Sequence, residues 1–360
     1  MSEAFTRYAC ANLGDVILKC LLLLGAALAA AGTPAPPIPA TKLATVQARL
    51  NVLTTKGFSG VTVIQHNDAT VFDKAFGSVK GRHVERNDLF WIASISKSFT
   101  AAAVMKCREQ GLLKLGDKIV RYWPDAPADK QGITISELLT HTSGLPQSYV
   151  SESIVDRDQA VRALLSEKLI SQPGVKFGYS NANYELLAAV VEIVSGRNFE
   201  EYVRAELLRP LNLRNTGFWL DAKAKQVSPT REPLPDRLKQ RGWELGAGGM
   251  YSCADDLLRW SNALWADRVL SPESTKLIFS DQVKIVEGQA GFGWFHGNSG
   301  NGTEFWFTRG NDSFGPNALI YWYPTLHTTV VITSHAGDDE SSDTGWSRIA
   351  LREVVEVLGF

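Results

Sequence analysis

Charge of either sign is not in excess here. The 360 residues carry 37 Lys and Arg against 38 Asp and Glu, a formal net charge of -1. Proteins that hold nucleic acid neutralise phosphates with clustered basic side chains, so no nucleic-acid partner is expected. Cysteine is scarce. Of the four, Cys10 and Cys20 fall in an N-terminal segment expected to be removed, and Cys107 and Cys253 read as two buried free thiols. The six histidines (66, 83, 141, 296, 327 and 335) include no His-Glu-x-x-His and no close pair, so neither a metal nor another cofactor is expected. There is no Gly-x-Ser-x-Gly, which argues against an α/β-hydrolase elbow. Internal repeats are absent as well.

Long apolar runs are also missing. Residues 20–31, Cys-Leu-Leu-Leu-Leu-Gly-Ala-Ala-Leu-Ala-Ala-Ala, follow Lys19 and end in an Ala-x-Ala site. The run is shorter than the ~20 residues a membrane span needs. We read 1–31 as a cleavable export leader and 32–40 as a Pro-rich linker, which places the mature chain in the periplasm or outside the cell, with no stable membrane insertion. Glu3 and Asp15 are unusual in a leader, and a retained N-terminal anchor is the alternative.

What is present is a mature chain with 44% hydrophobic residues, enough to bury a core. Helical spacing marks 41–55. Two β-rich runs, 60–64 and 70–72, flank Asn67-Asp68, a hairpin signal. An Ala-rich helix covers 95–110, and Pro- and Gly-broken helices follow to about 280. Strand patterns return at 291–296, 305–307, 318–323 and 328–333, ahead of a last amphipathic helix at 345–358. The implied fold class is α+β in two lobes. One antiparallel sheet is built from N- and C-terminal segments (about 41–95 and 285–357), with the terminal helices on its faces. A mostly helical lobe covers about 96–284. A small-molecule site belongs in the cleft between them.

Ser94-Ile95-Ser96-Lys97 is the only Ser-x-x-Lys. Residues three apart on a helix share a face, so the Lys97 ammonium can reach the Ser94 hydroxyl. A serine hydroxyl attacks a carbonyl only when a neighbouring group takes its proton. Tyr179-Ser180-Asn181 is likewise the only Tyr-x-Asn, in a loop that opens another helix. His141 invites a Ser-His-Asp reading, but no acidic partner can be identified for it.

These motifs, with the phrases at 90–100, 135–145 and 247–252 and Gly291-Phe292-Gly293-Trp294, occur in the order of the serine β-lactamase and penicillin-binding protein superfamily. The chain resembles its class C β-lactamase-related branch, which includes family VIII carboxylesterases and D-Ala-D-Ala carboxypeptidases, over about residues 41–357. The resemblance implies a β-lactamase/transpeptidase-like fold and a serine hydrolase. Ser94 would be acylated, Lys97 would assist the alkoxide, Tyr179 would shuttle the proton, and Asn181 would position Lys97 and the substrate. It also implies that the loop holding His141 is architectural.

The third motif departs from the family's Lys-Thr-Gly. Matching on the glycine gives Thr308-Arg309-Gly310, with Thr308 facing the cleft. Counting back from Tyr323-Pro324 instead gives Arg309-Gly310-Asn311, with Arg309 facing it. Strand side chains alternate, so the two registers send Arg309 to opposite sides. We favour the first. In either register a backbone N–H near Asn311 would join that of Ser94 as an oxyanion hole. The substrate expected is a small molecule or peptide, either a short-chain ester or a D-amino-acid amide. A β-lactam, a D-Ala-D-Ala terminus and a non-catalytic binding role are the alternatives.

Overall fold

The computed structural model describes residues 34–219, 221, 223, 227, 243, 245–286, 288–312, 315–335 and 345–360. The leader read at 1–31 lies outside the described residues. Helix α1 (Ala40–Thr54) begins one residue after the proline run, with Pro39 just before its first turn. Strands β1 (Gly60–His66) and β2 (Ala69–Phe76) follow, joined through Asn67 and Asp68 at φ 48° and 63°. Two consecutive positive φ values match a type I′ turn, whose twist suits the paired strands.

Strand β3 (Phe90–Trp91) leads into α2 (Ser96–Glu109). Next come α3 (Ile135–Leu139), α4 (Arg157–Ser166) and α5 (Asn181–Ser195). The short strands β4 (Gly217–Phe218) and β5 (Met250–Ser252) pair with β3 in the order β3-β5-β4. A turn covers 245–248, and the β-favouring Met250-Tyr251 then has two partner strands to pair with.

Helices α6 (Ala254–Trp265) and α7 (Pro272–Ile278) precede β6 (Val283–Ile285), β7 (Gly288–Ala290), β8 (Phe295–Asn298), β9 (Glu304–Asn311), β10 (Asn317–Tyr323) and β11 (Thr328–Ser334). Helix α8 (Trp346–Leu358) ends the chain. Residues 291–294 were expected in a strand. They form a bend instead, because Gly293 takes φ 72° and lies against the Lys97 backbone.

Among the described residues, eight strands form one antiparallel sheet in the order β2-β1-β11-β10-β9-β8-β7-β6. Both faces of its central strands are apolar, so both need cover. On one face Ile64, Leu319 and Ile332 pack with Val46 and Leu50 of α1 and Ala350 and Val354 of α8. On the other, Val63, Ile320 and Val331 merge with the core of α2, α5 and α6. The sequence reading put the terminal helices on the sheet's faces and everything from 96 to 284 in the helical lobe. Instead α1 and α8 share one face, and α6 packs back against β1 and β11 on the other.

Candidate active site

Ser94 sits in a single 3-10 turn, Ala93–Ile95, immediately before α2, so it precedes the helix rather than opening it. Ala93 adopts φ 41°, a left-handed conformation that costs a non-glycine residue free energy and clusters at functional sites. The three-residue spacing still works. Lys97 Nζ donates to Ser94 Oγ at 3.0 Å, to Asn181 Oδ1 at 2.8 Å and to the Ala247 carbonyl at 2.7 Å. An ammonium has three protons, and each has an acceptor here. That matters because Lys97 is buried, and a buried charge is tolerable only when its hydrogen bonds are made.

The Tyr179 hydroxyl donates to Ser94 Oγ at 2.8 Å from the other side. Its ring lies 5.0 Å from Lys97 Nζ, so ammonium, phenol and serine hydroxyl share one space. Tyr179 precedes α5, whose first residue is Asn181 and whose N-cap is Ser180. The loop is clamped by the 141–147 segment. Gly178 N–H donates to the His141 carbonyl at 2.8 Å, Ser180 Oγ to the Pro146 carbonyl at 2.6 Å, and Asn181 N–H to Gln147 Oε1 at 2.8 Å. The clamp is anchored by α3, whose Thr134 and Glu137 form a reciprocal capping box. Gly144 allows the clamp to lie flat: it has φ 80°, and a Cβ there would sit 2.1 Å from the Ser171 carbonyl.

On β9, Thr308 is buried on the same face as Trp306, which belongs to the core shared with the helical lobe. Phe307 lies on the opposite face, under α1 and α8, with the Arg309 guanidinium 5.5 Å from its ring. Thr308 is therefore on the helical-lobe side of the strand and Arg309 on the other, and both reach the same cavity wall. Gly310 explains how β9 can approach the nucleophile. A Cβ at Gly310 would be 2.0 Å from the Ile92 carbonyl and 2.8 Å from Ser94 N.

These groups line one cavity of about 720 Å³. Ser94, Lys97, Tyr179, Thr308, Arg309, Gly310 and Asn311 all contribute to its wall. Asn181 reaches it only through Lys97. Sequence reasoning missed the apolar part of the wall, made by Phe177, Ile285, Val286, Phe295 and Phe307, together with Gln147 and Arg348. The one signal for the apolar part was the aromatic run at 305–307, which reads equally as core. Among the described residues no group of three or more His, Cys, Asp or Glu could hold a metal ion, and no helix is long and apolar enough to cross a membrane.

Residues 45–353 match the family model described as Beta-lactamase. A penicillin-binding protein of Bacillus subtilis (strain 168) is 29% identical over 279 residues, covering 67% of this chain and 60% of that protein. Protein flp of Staphylococcus aureus (strain MW2) is 30% identical over 184 residues, 47% of this chain and 37% of that one. The chain thus spans at most about 60% of the length of the curated relatives it matches first. Among solved structures, the D-amino acid amidase of Ochrobactrum anthropi SV3 complexed with L-phenylalanine amide superposes with a TM-score of 0.76 at 19% identity. The match covers 89% of this chain and 99% of that one. The octameric penicillin-binding protein homologue from Pyrococcus abyssi gives 0.72 at 23% identity, covering 89% and 77%. At such identities the structural likeness speaks for the fold, an α+β β-lactamase/transpeptidase fold. The fold and the family match over most of the chain agree: this protein belongs to the beta-lactamase family, within the serine β-lactamase and penicillin-binding protein superfamily.

Proposed function

We propose that the protein hydrolyses carboxylic esters or amides, short-chain esters and D-amino-acid amides foremost, through an acyl-enzyme on Ser94. The observation that carries this is Ser94 Oγ held between Lys97 Nζ and Tyr179 Oη at 3.0 and 2.8 Å, inside a cavity large enough for a small substrate. For the reaction Tyr179 must first release its own proton to solvent; Ser94 then gives its proton to the phenolate oxygen as Oγ bonds to the carbonyl carbon. The carbonyl oxygen then carries negative charge beside the Ser94 N–H and a backbone N–H near Asn311. Tyr179 returns the proton to the departing alcohol or amine, leaving the acyl group on Ser94. Water then attacks the acyl carbon by the same route. Its proton passes through Tyr179 back to Ser94, and a carboxylic acid leaves. Lys97 holds its charge beside both oxygens throughout, and Asn181 keeps Lys97 in place.

Support for the substrate class comes from the wall. Phe177, Ile285, Val286, Phe295 and Phe307 suit an apolar acyl or side-chain group. The resemblance to D-amino acid amidases and to a D-stereospecific amidohydrolase from Streptomyces sp. points the same way. Steady-state kinetics on p-nitrophenyl butyrate, D-phenylalanine amide and nitrocefin test it. The ester or the amide should give the larger kcat/KM, and a larger value for nitrocefin would overturn the substrate assignment.

A further inference from the structure

His141 takes no part in the chemistry above, yet the site is built around it. It is buried at 3% exposure with its edge on the cavity, and it adopts φ 57°, a left-handed backbone uncommon for residues other than glycine. Its ring stacks on that of Tyr179, with centroids 4.5 Å apart and planes 30° apart, and leans on Tyr184 at 5.0 Å. Its Nδ1 accepts the Ser180 backbone N–H at 3.1 Å and lies 3.2 Å from Asn183 Nδ2. With Nδ1 accepting, the ring proton belongs on Nε2. Burial first, and the Lys97 ammonium second, push the imidazole well below its usual range, so it remains neutral across ordinary pH. The residue therefore fixes Tyr179 twice, through the face of its ring and through the peptide that follows it.

We propose that His141 is a positioning residue for proton transfer, holding the Tyr179 phenol in register with Ser94 Oγ through ring stacking and the Ser180 N–H. The inference rests on the proposed roles of Ser94 and Tyr179. Two replacements suit the backbone. His141→Asn tolerates φ 57° and can still offer an amide oxygen to Ser180 N–H, but it removes the stacked ring. His141→Gly removes both contacts and relieves the backbone. A misplacement of about 1 Å at reacting atoms can cost ~100-fold in rate. For ester hydrolysis, kcat should fall about 10-fold in His141→Asn and about 100-fold in His141→Gly, with KM changed less than threefold.

A role in fold alone would lower activity by the same factor whether or not Tyr179 has its hydroxyl. A positioning role acts only through that hydroxyl, so the test is a double-mutant cycle with Tyr179→Phe. In the Tyr179→Phe background the His141 replacements should lower kcat less than twofold further. Additive losses, unchanged kcat in both single variants, or loss of the cooperative unfolding transition in both would overturn the proposal. If Tyr179→Phe itself turns over normally, the fault lies instead in the assignment of Tyr179 as the proton shuttle.

Discussion

At the scale of single residues, the chemistry was legible where it depends on side-chain type at fixed spacing. Ser94 and Lys97 stand three apart, and Tyr179 and Asn181 two apart, so each pair reads directly from the sequence. The third acceptor for Lys97 did not, because the Ala247 carbonyl is backbone and any residue could supply it. The fit of Gly310 against Ile92 was hidden for a related reason, since only the folded chain shows how close two strands come. Two outcomes follow. Tyr179→Phe keeps the ring on His141 and loses the hydroxyl, so the melting temperature should hold while kcat for an ester falls about 10²–10⁴-fold. Gly310→Ala must push β9 off Ile92, displacing the proposed oxyanion site, and should lower kcat by about 10²–10³-fold in the same assay.

Elements were legible in proportion to how local their causes are. The β1–β2 hairpin follows from Asn67-Asp68 alone, and Asp68→Gly, which suits φ 63° better, should raise the denaturant midpoint by an amount equivalent to about 0.5 kcal/mol. The strand at 250–252 and the bend at 291–294 have non-local causes, namely partner strands and the Lys97 backbone, and the bend was misplaced as strand. The register favoured for β9 was matched on Gly310, the residue whose missing side chain lets that strand lie against Ile92.

The 141–147 clamp adds a pH dependence of stability. His141 is held neutral in the folded chain, facing Lys97, Tyr179 and Tyr184, whereas an unfolded histidine binds a proton below about pH 6.5. Between the depressed folded value and 6.5 the unfolded state carries the extra proton. Stability is therefore lost as pH falls through that window, by about 1.4 kcal/mol per pH unit for one proton. Urea midpoints at pH 7.0, 6.0 and 5.5 should decline, and the decline should be shallower in His141→Asn by that share.

For the whole molecule, composition and the order of motifs gave the α+β class, the sheet built from both ends of the chain, and a cleft. They did not give the path of α6, because the choice of which helix covers a sheet face is made by shape complementarity between distant segments. The apolar wall of the cavity escaped for the same reason, since Phe177, Val286 and Phe295 come together only after the chain has folded. That wall suits an apolar acyl or side-chain group, and Ser94 lines the same cavity. The claim on which all of this depends is that Ser94 forms a covalent acyl-enzyme. Intact-mass measurement after incubation with a slowly turned-over ester or with a penicillin, followed by peptide mapping, tests it most directly. The account predicts a single adduct of the acyl mass on the peptide containing Ser94, absent from Ser94→Ala, and an adduct of the same mass surviving in Ser94→Ala would contradict it.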